Sequence, residues 1–217
     1  MEFRVAGNEL HLSGPVAGQE YAHFKDAVAA HPQIDTVVFR NSPGGDAWSA
    51  YRVGEAIRDR GWRTVVVGRC HSACAIMFLG GRTRHFAQAS QPENMLLAFH
   101  GTWSTGLLEA QTPGFRGRVQ LRRWIVERTE GKIDPKLLER FIENERRVAF
   151  LYAYDPAQFK AGAGASMYFC EGNEQNRAKP FAACERIAGH DAFSMGFVNS
   201  PERIRVTPPS KLPAPLY

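Results

Sequence analysis

The stretch that most constrains this chain is residues 64–81. Thr64-Val65-Val66-Val67 is a short β-branched, apolar run, the signature of a buried strand. Residues 73–79 are apolar on every side and lack Pro and Gly, which predicts a buried helix. Gly68 lets the chain turn sharply between the two. Ser72 falls at that strand-to-helix turn, so its hydroxyl sits where free N–H groups and the helix dipole favour negative charge. Such a place suits a serine that attacks a carbonyl and leaves an oxyanion beside itself. It equally suits a serine that only caps the helix.

The rest of the chain repeats the alternation. Asn8-Glu9-Leu10-His11-Leu12-Ser13-Gly14 alternates polar and apolar residues and ends in a turn signal, so it reads as a strand. A helix is expected over 19–30, ended by His31-Pro32. Thr36-Val37-Val38-Phe39 reads as a second buried strand and 47–60 as a helix ended by Gly61. Further strands are expected at 84–86 and 95–99, with a turn over 91–94 between them. A flexible loop is expected over 101–117 and a helix over 118–130. Asp134-Pro135 reads as a helix start, with Leu137, Leu138, Phe141, Ile142, Val148 and Leu151 following at helical spacing. Residues 161–164 read as a loop, and 193–198 as a helix end plus a short strand. Alternating strands and helices predict a layered α/β fold with parallel strands.

Composition narrows the function classes. A chain of 217 residues, 44% hydrophobic and 23% charged, fits one globular domain, here placed at 1–200. Five of the thirteen prolines lie beyond residue 200, so 201–217 reads as a Pro-rich C-terminal tail or edge arm. No run approaches the roughly 18 consecutive apolar residues of a membrane span. Met1-Glu2-Phe3-Arg4 lacks the basic-then-apolar order of a leader. The chain is therefore expected to be either cytoplasmic or exported with its leader removed. The net charge is +5, with many arginines in the middle of the chain. No zinc-finger spacing or RNA-binding signature accompanies them, so they read as solvated helix faces and subunit contacts, and no nucleic acid is expected. The four cysteines form two local pairs, Cys70 with Cys74 and Cys170 with Cys184. Even pairs are compatible with an oxidising compartment, although four unrelated buried thiols would look the same. No further ligands lie at metal spacing, so no metal and no cofactor are expected.

Three loops carry the chemistry. Asn41-Ser42-Pro43-Gly44-Gly45-Asp46 follows one strand, Gly68-Arg69-Cys70-His71-Ser72 the next, and His100 ends a later one. Parallel strands present their carboxyl ends on one edge, so the three can converge. A neutral histidine within reach of Ser72 would take its proton.

This pattern resembles the proteolytic subunit of the Clp protease, within the wider ClpP/crotonase fold superfamily. The family motif runs strand, Asn-Ser-Pro-Gly-Gly, helix, strand, Gly-x-x-x-Ser, apolar helix, and a histidine closing a strand. Ala192-Phe193-Ser194-Met195-Gly196-Phe197-Val198 further resembles the family's Ala-x-x-x-Gly-Leu-Val. The resemblance implies a serine peptidase acting on peptides or unfolded protein, with Ser72 as nucleophile and His100 as general base. Gly45 and Ala73 would supply the oxyanion-hole N–H groups. His85 is the rival base, and His71 would point elsewhere. A ring-like homo-oligomer is also implied. The Cys-x-Ser-x-Cys setting of Ser72 resembles ClpP-like proteins predicted to be exported from bacterial cells, hence a periplasmic location, with cytoplasmic as the alternative. The family's acid has no match, since Ser166 or Val148 takes its place depending on the strand chosen. Asp155 is the preferred substitute, ahead of Glu145 and Glu185. The contrasting reading is a catalytically degenerate member that binds without turnover. Acyl-CoA chemistry, also found on this fold, is disfavoured because it uses the oxyanion hole without a Ser–His pair.

Cys170 and Cys184 are expected to close a polar excursion through a disulfide, worth about 3 kcal/mol for a loop of about 15 residues in the chain-entropy model. Cys70 and Cys74 flank Ser72 and are expected to be linked in the exported form, a bridge that is allowed if the turn brings their Cα atoms within about 6 Å and that would fix the nucleophile loop. Mass spectrometry without reduction is expected to recover the peptide pair linked through Cys170 and Cys184. Two free thiols there would assign the chain to a reducing compartment.

Overall fold

The structure, a computed structural model, describes residues 1–88, 95–101, 117–143, 149–157, 166–171 and 184–217. Its strands are β1 (Glu2–Ala6), β2 (Glu9–Ser13), β3 (Thr36–Ser42), β4 (Arg63–His71), β5 (Thr83–Phe86), β6 (Leu96–Phe99), β7 (Phe150–Tyr154), β8 (Met167–Cys170) and β9 (Cys184–Arg186). Its helices are α1 (Glu20–Ala30), α2 (Ala47–Asp59), α3 (Ala73–Phe78), α4 (Gly117–Arg128) and α5 (Pro135–Ile142). The described strands make one sheet, ordered β1-β2-β3-β4-β6-β7-β8-β9, with β5 against β4.

The parallel half is the one the alternation predicts: β2, β3, β4, β5 and β6 run parallel. Antiparallel pairs extend this parallel half at both ends. β1 meets β2 antiparallel, because Gly7, at φ 62, turns the chain within two residues and so short a link cannot join parallel strands. β6, β7, β8 and β9 also pair antiparallel. The helical reading toward Leu151 is corrected. α5 ends at Ile142, and Phe150-Leu151-Tyr152-Ala153-Tyr154 is a strand paired with β6. Its alternation of aromatic and aliphatic residues fits a pleated surface better than a helix face. Residues 193–198 form turns, with no helix or strand. The readings of 91–94, 161–164, most of 101–117 and the Cys170–Cys184 excursion lie outside the described residues.

Side-chain caps hold two helix starts, of which the sequence reading expected the one at Asp134. The Asp46 carboxylate accepts from the Ser49 N–H at 2.7 Å, and Asp134 accepts from Leu137 N–H at 2.8 Å, ahead of Pro135. All six residues of α3 are buried. Trp124 of α4 donates from Nε1 to the Ile76 carbonyl at 3.1 Å and meets the Tyr51 ring edge-on. Two apolar sets result. The larger contains Leu10, Val37, Phe39, Phe78 and Phe99; the smaller lies on the other face of β6, β7 and β8 and contains Ala98, Tyr152, Tyr154 and Tyr168.

The segment from Pro201 onward is laid across the sheet. Ile204 bridges to Ala87, the Thr207 carbonyl accepts from Arg40 at 2.5 Å, and the Leu216 N–H donates to Phe3 at 2.7 Å. Ahead of it, residues 196–197 are held by Arg84, which has no exposed surface. Arg84 donates to the Phe197, Gly81 and Gly196 carbonyls, each at 2.9 Å. Burial pushes its pKa down to about 10, still well above neutral pH, so it remains a cation paired with three carbonyl dipoles. Replacing Arg84 by Ala strands these three acceptors in the interior. Arg84→Ala is expected to lower the unfolding free energy by about 3 kcal/mol or more, read as a shift in denaturant midpoint. A shift under about 0.5 kcal/mol would show that the three bonds are dispensable.

Candidate active site

The site is built where β4 changes partners. Arg63 to Val66 of β4 pair with β5, whereas Arg69, Cys70 and His71 pair with Leu96, Leu97 and Ala98 of β6. Between the two pairings Gly68 adopts φ 75, and the β3–β4 register shifts between Arg40 and Ser42. Asn41, itself at φ 44, accepts the Arg69 N–H on its side-chain oxygen at 3.1 Å. A Cβ on Gly68 would lie 2.2 Å from that same oxygen, so any other residue would be strained at this φ and would push the Asn41 side chain off the Arg69 N–H.

Ser72 comes next in the chain. Its N–H donates to the Ala98 carbonyl at 2.8 Å, which extends the β4–β6 pairing to the last residue before α3. Its backbone lies at φ 56, ψ −121, a conformation that costs a non-glycine residue about 1–3 kcal/mol. The side chain makes no capping bond to α3. Oγ lies instead 2.6 Å from Nε2 of His100, the residue after β6. Nδ1 of the same ring lies 2.5 Å from the Gly101 carbonyl, which can only accept. The ring therefore carries its proton on Nδ1 and offers the Nε2 lone pair to the Ser72 hydroxyl. Burial holds the His100 pKa below the usual histidine value, so the ring is neutral at pH 7. The Phe150 ring meets it edge-on at 4.8 Å.

The glycine loop is pressed against this turn. A Cβ on Gly44 would lie 2.5 Å from the His71 carbonyl, 2.7 Å from Ser72 Cβ and 2.9 Å from the Ala73 nitrogen. Gly44 and Gly45, at φ 85 and 143, are tied to Val16. The Val16 N–H donates to Gly44 at 2.8 Å, and the Val16 carbonyl accepts from Asp46 at 3.0 Å. Below the turn, the sulfurs of Cys70 and Cys74 are 1.99 Å apart and their Cα atoms 5.2 Å apart, with both residues fully buried.

No family model matches the sequence, and no curated protein matches it. Solved structures do. ClpP1 from Listeria monocytogenes superimposes with a TM-score of 0.54 at 15% identity, over 93% of each chain. A single-residue mutant of that ClpP1 gives 0.55 at 14% identity, over 92% of each chain. The chain has the ClpP fold.

Within this ClpP-like frame the other expected residues separate. His71 turns toward Phe150 and Tyr152, with its ring 6.1 and 6.0 Å from theirs. Its pKa is pushed down to about 4, first by burial and then by Arg69 and His100. His85 lies on β5 opposite Val65, well before the partner change, and its Nδ1 faces the Glu202 carbonyl at 3.0 Å. Asp155 is not brought to His100, which corrects its assignment as the acid. It is buried at the opposite end of the β6–β7 pair, beside Met95. At the strand rise that is about 16 Å from His100. Its carboxylate forms a two-pronged ion pair with Arg203 instead. Ser166 lies at that same far end, where its carbonyl accepts from Tyr154. Glu185 is three strands from β6 and pairs with Arg140. Glu145 and Val148 lie outside the described residues. The Cys170 and Cys184 sulfurs are 1.97 Å apart across the β8–β9 pair.

The Gly101 carbonyl, Phe150 and the role of Asn41 as acceptor for the Arg69 N–H are the parts of the site that sequence reasoning missed. Only Asn41 carried a signal, since asparagine tolerates the left-handed region at a loop start.

Gly44→Ala is expected to destabilise the chain by about 2 kcal/mol from its positive φ and the contacts above. That corresponds to a melting temperature lower by about 4–8 °C. An unchanged melting temperature would mean that the loop and the Ser72 turn are not in contact.

Proposed function

We propose that this chain is a ClpP-like serine peptidase that cleaves peptides or unfolded protein segments. The observation that carries the reading is the Ser72–His100 pair. A hydroxyl in a strained strand-to-helix turn lies 2.6 Å from Nε2 of a neutral, half-buried imidazole. In this reading Ser72 Oγ attacks the peptide carbonyl carbon while Nε2 of His100 takes its proton. The oxyanion is received by the N–H groups of Gly45 and Ala73. His100 then passes the proton to the leaving amine, and an acyl ester remains on Ser72. Water attacks that ester, with Nε2 again taking the proton, and the acid product leaves. The Gly101 carbonyl takes the orienting role that a carboxylate has in a full triad. Two cysteine pairs at disulfide distance support an exported, periplasmic protein, and the likeness to ClpP1 supports a homo-oligomer.

A second reading, binding without turnover, is favoured by one observation: the carboxylate of Asp155 is engaged by Arg203 rather than by His100. A fluorophosphonate probe separates the two, because it labels only an activated serine. Wild-type protein is expected to be labelled and Ser72→Ala not. His100→Ala should lose about 10²–10⁴ in kcat/KM, whereas His85→Ala stays within about twofold. Because burial disfavours the His100 cation, kcat/KM should hold as pH falls to about 6.5 and decline only below it. Equal labelling of wild type and Ser72→Ala would remove Ser72 as the nucleophile. Absence of labelling in folded wild type would favour the binding reading.

A further inference from the structure

The outer face of the parallel half of the sheet, the side away from α1 and α2, is the face on which residues 207–213 lie, held by Arg40 and Arg4, before the chain end returns to the helical side and Tyr217 stacks on His23 of α1. On that face β2, β3 and β4 carry His11, Val38 and Val65 in one row and Arg40 with Val67 in the next. Val38 and Val65 have no exposed surface, and His11 is 2% exposed. Ile204 and Val206 of the segment pack against this core.

One polar cluster ties the segment down there. His11 Nε2 lies 2.8 Å from Glu9 Oε2, and its Nδ1 accepts from Arg40 Nε at 3.0 Å. The same Arg40 donates through a second nitrogen to the Thr207 carbonyl at 2.5 Å. The same Glu9 oxygen accepts the Thr207 N–H at 2.9 Å. Both backbone groups of Thr207 are thus held by the two residues that bracket His11.

The protonation state of His11 is dictated by its partners. A guanidinium can only donate, so Nδ1 must present a lone pair and the ring's single proton must sit on Nε2, donated to Glu9. A second proton turns Nδ1 into a donor facing a donor. The Arg40–His11 bond is then lost, and two cations stand in contact within a buried site. Of the charged groups around the ring, Glu9 on its own strand favours the cation. Arg40 on β3 opposes it, while Arg4, its register partner on β1, is engaged by Glu2 and the Pro213 carbonyl. On the segment itself Arg205 is exposed, and the nearest imidazole across the sheet is His85 on β5. Burial is the largest influence and also keeps the ring neutral.

We propose that His11 is a proton-operated latch for the 201–217 segment: neutral His11 positions Arg40 to hold Thr207, and protonated His11 displaces Arg40 and frees it. Release in acid uncovers the Val38, Val65 and Val67 strip, an apolar surface withheld at neutral pH. The device does not depend on the Ser72–His100 chemistry.

The test is an NMR titration of the full chain from about pH 7 to about pH 4.5. It follows the His11 ring proton together with amide-exchange protection of Thr207, corrected for intrinsic exchange. Thr207 protection is expected to fall about 10-fold or more, with the same midpoint as the His11 ring. His11→Asn keeps an acceptor for Arg40 at the Nδ1 position but takes up no proton. In that variant Thr207 is expected to stay protected across the range. The wild-type midpoints decide the matter even if the variant folds poorly. Thr207 protection that is flat with pH in wild type would overturn the latch. So would a Thr207 midpoint distinct from that of His11, or an undiminished acid transition in folded His11→Asn.

Discussion

The structure depends on one strand that serves two neighbours. β4 gives its first residues to β5 and its last to β6, and the change is made at Gly68. A regular strand could not do this, because its hydrogen-bonding edge would continue past the same partner. The left-handed Gly68, with Asn41 bound to the next N–H, inserts the irregularity. That irregularity sets the site: β4 ends beside β6, Ser72 closes the pairing on the Ala98 carbonyl, and His100 lies one strand away at hydrogen-bond distance.

Rigidity around Ser72 comes from several independent restraints. Helix α3 is buried on all sides and Gly44 abuts the Ser72–Ala73 peptide. The Cys70–Cys74 pair has one member in β4 and one in α3, so it spans the turn itself. Both cysteines are fully buried, which shields the pair from solutes as long as the fold is closed. A strained serine persists only where its surroundings over-determine it, and these contacts meet that condition. The electrostatics arise from the same burial. His100 has lost most of its hydration, so its neutral form is favoured and its basicity is kept for the one hydroxyl it faces.

The outer face obeys different rules from the inner one. The inner face is closed by helices through apolar packing. The outer face is closed by a Pro-rich segment with little regular structure, held through backbone bonds and a few charged side chains. Arg203 with Asp155 anchors it at one place and Arg40 with Glu9 at another. The second anchor includes the His11 imidazole, and in the proposed latch this makes the cover there conditional, unlike the apolar packing of the inner face.

The sequence by itself determined the elements whose signals are local. The strand–turn–helix around Ser72, the Asp134 cap, the parallel core strands and the glycine loop all rest on periodicity, turn chemistry or capping within a few residues. His100 was legible because it ends a strand on the edge where the other two loops must lie. Tertiary structure alone decided the rest. Leu151 sits at helical spacing from α5, yet it lies in a strand because β6 offers an open edge to pair with. Asp155 looked available until the fold brought Arg203, 48 residues away, against it. His11 reads as one polar position in an alternating strand, and only Arg40 and Glu9 with Thr207, 198 residues beyond Glu9, make it the centre of a buried charged cluster. A lone side chain states what it can donate or accept, but its partner is set by chain segments that meet only when the sheet closes.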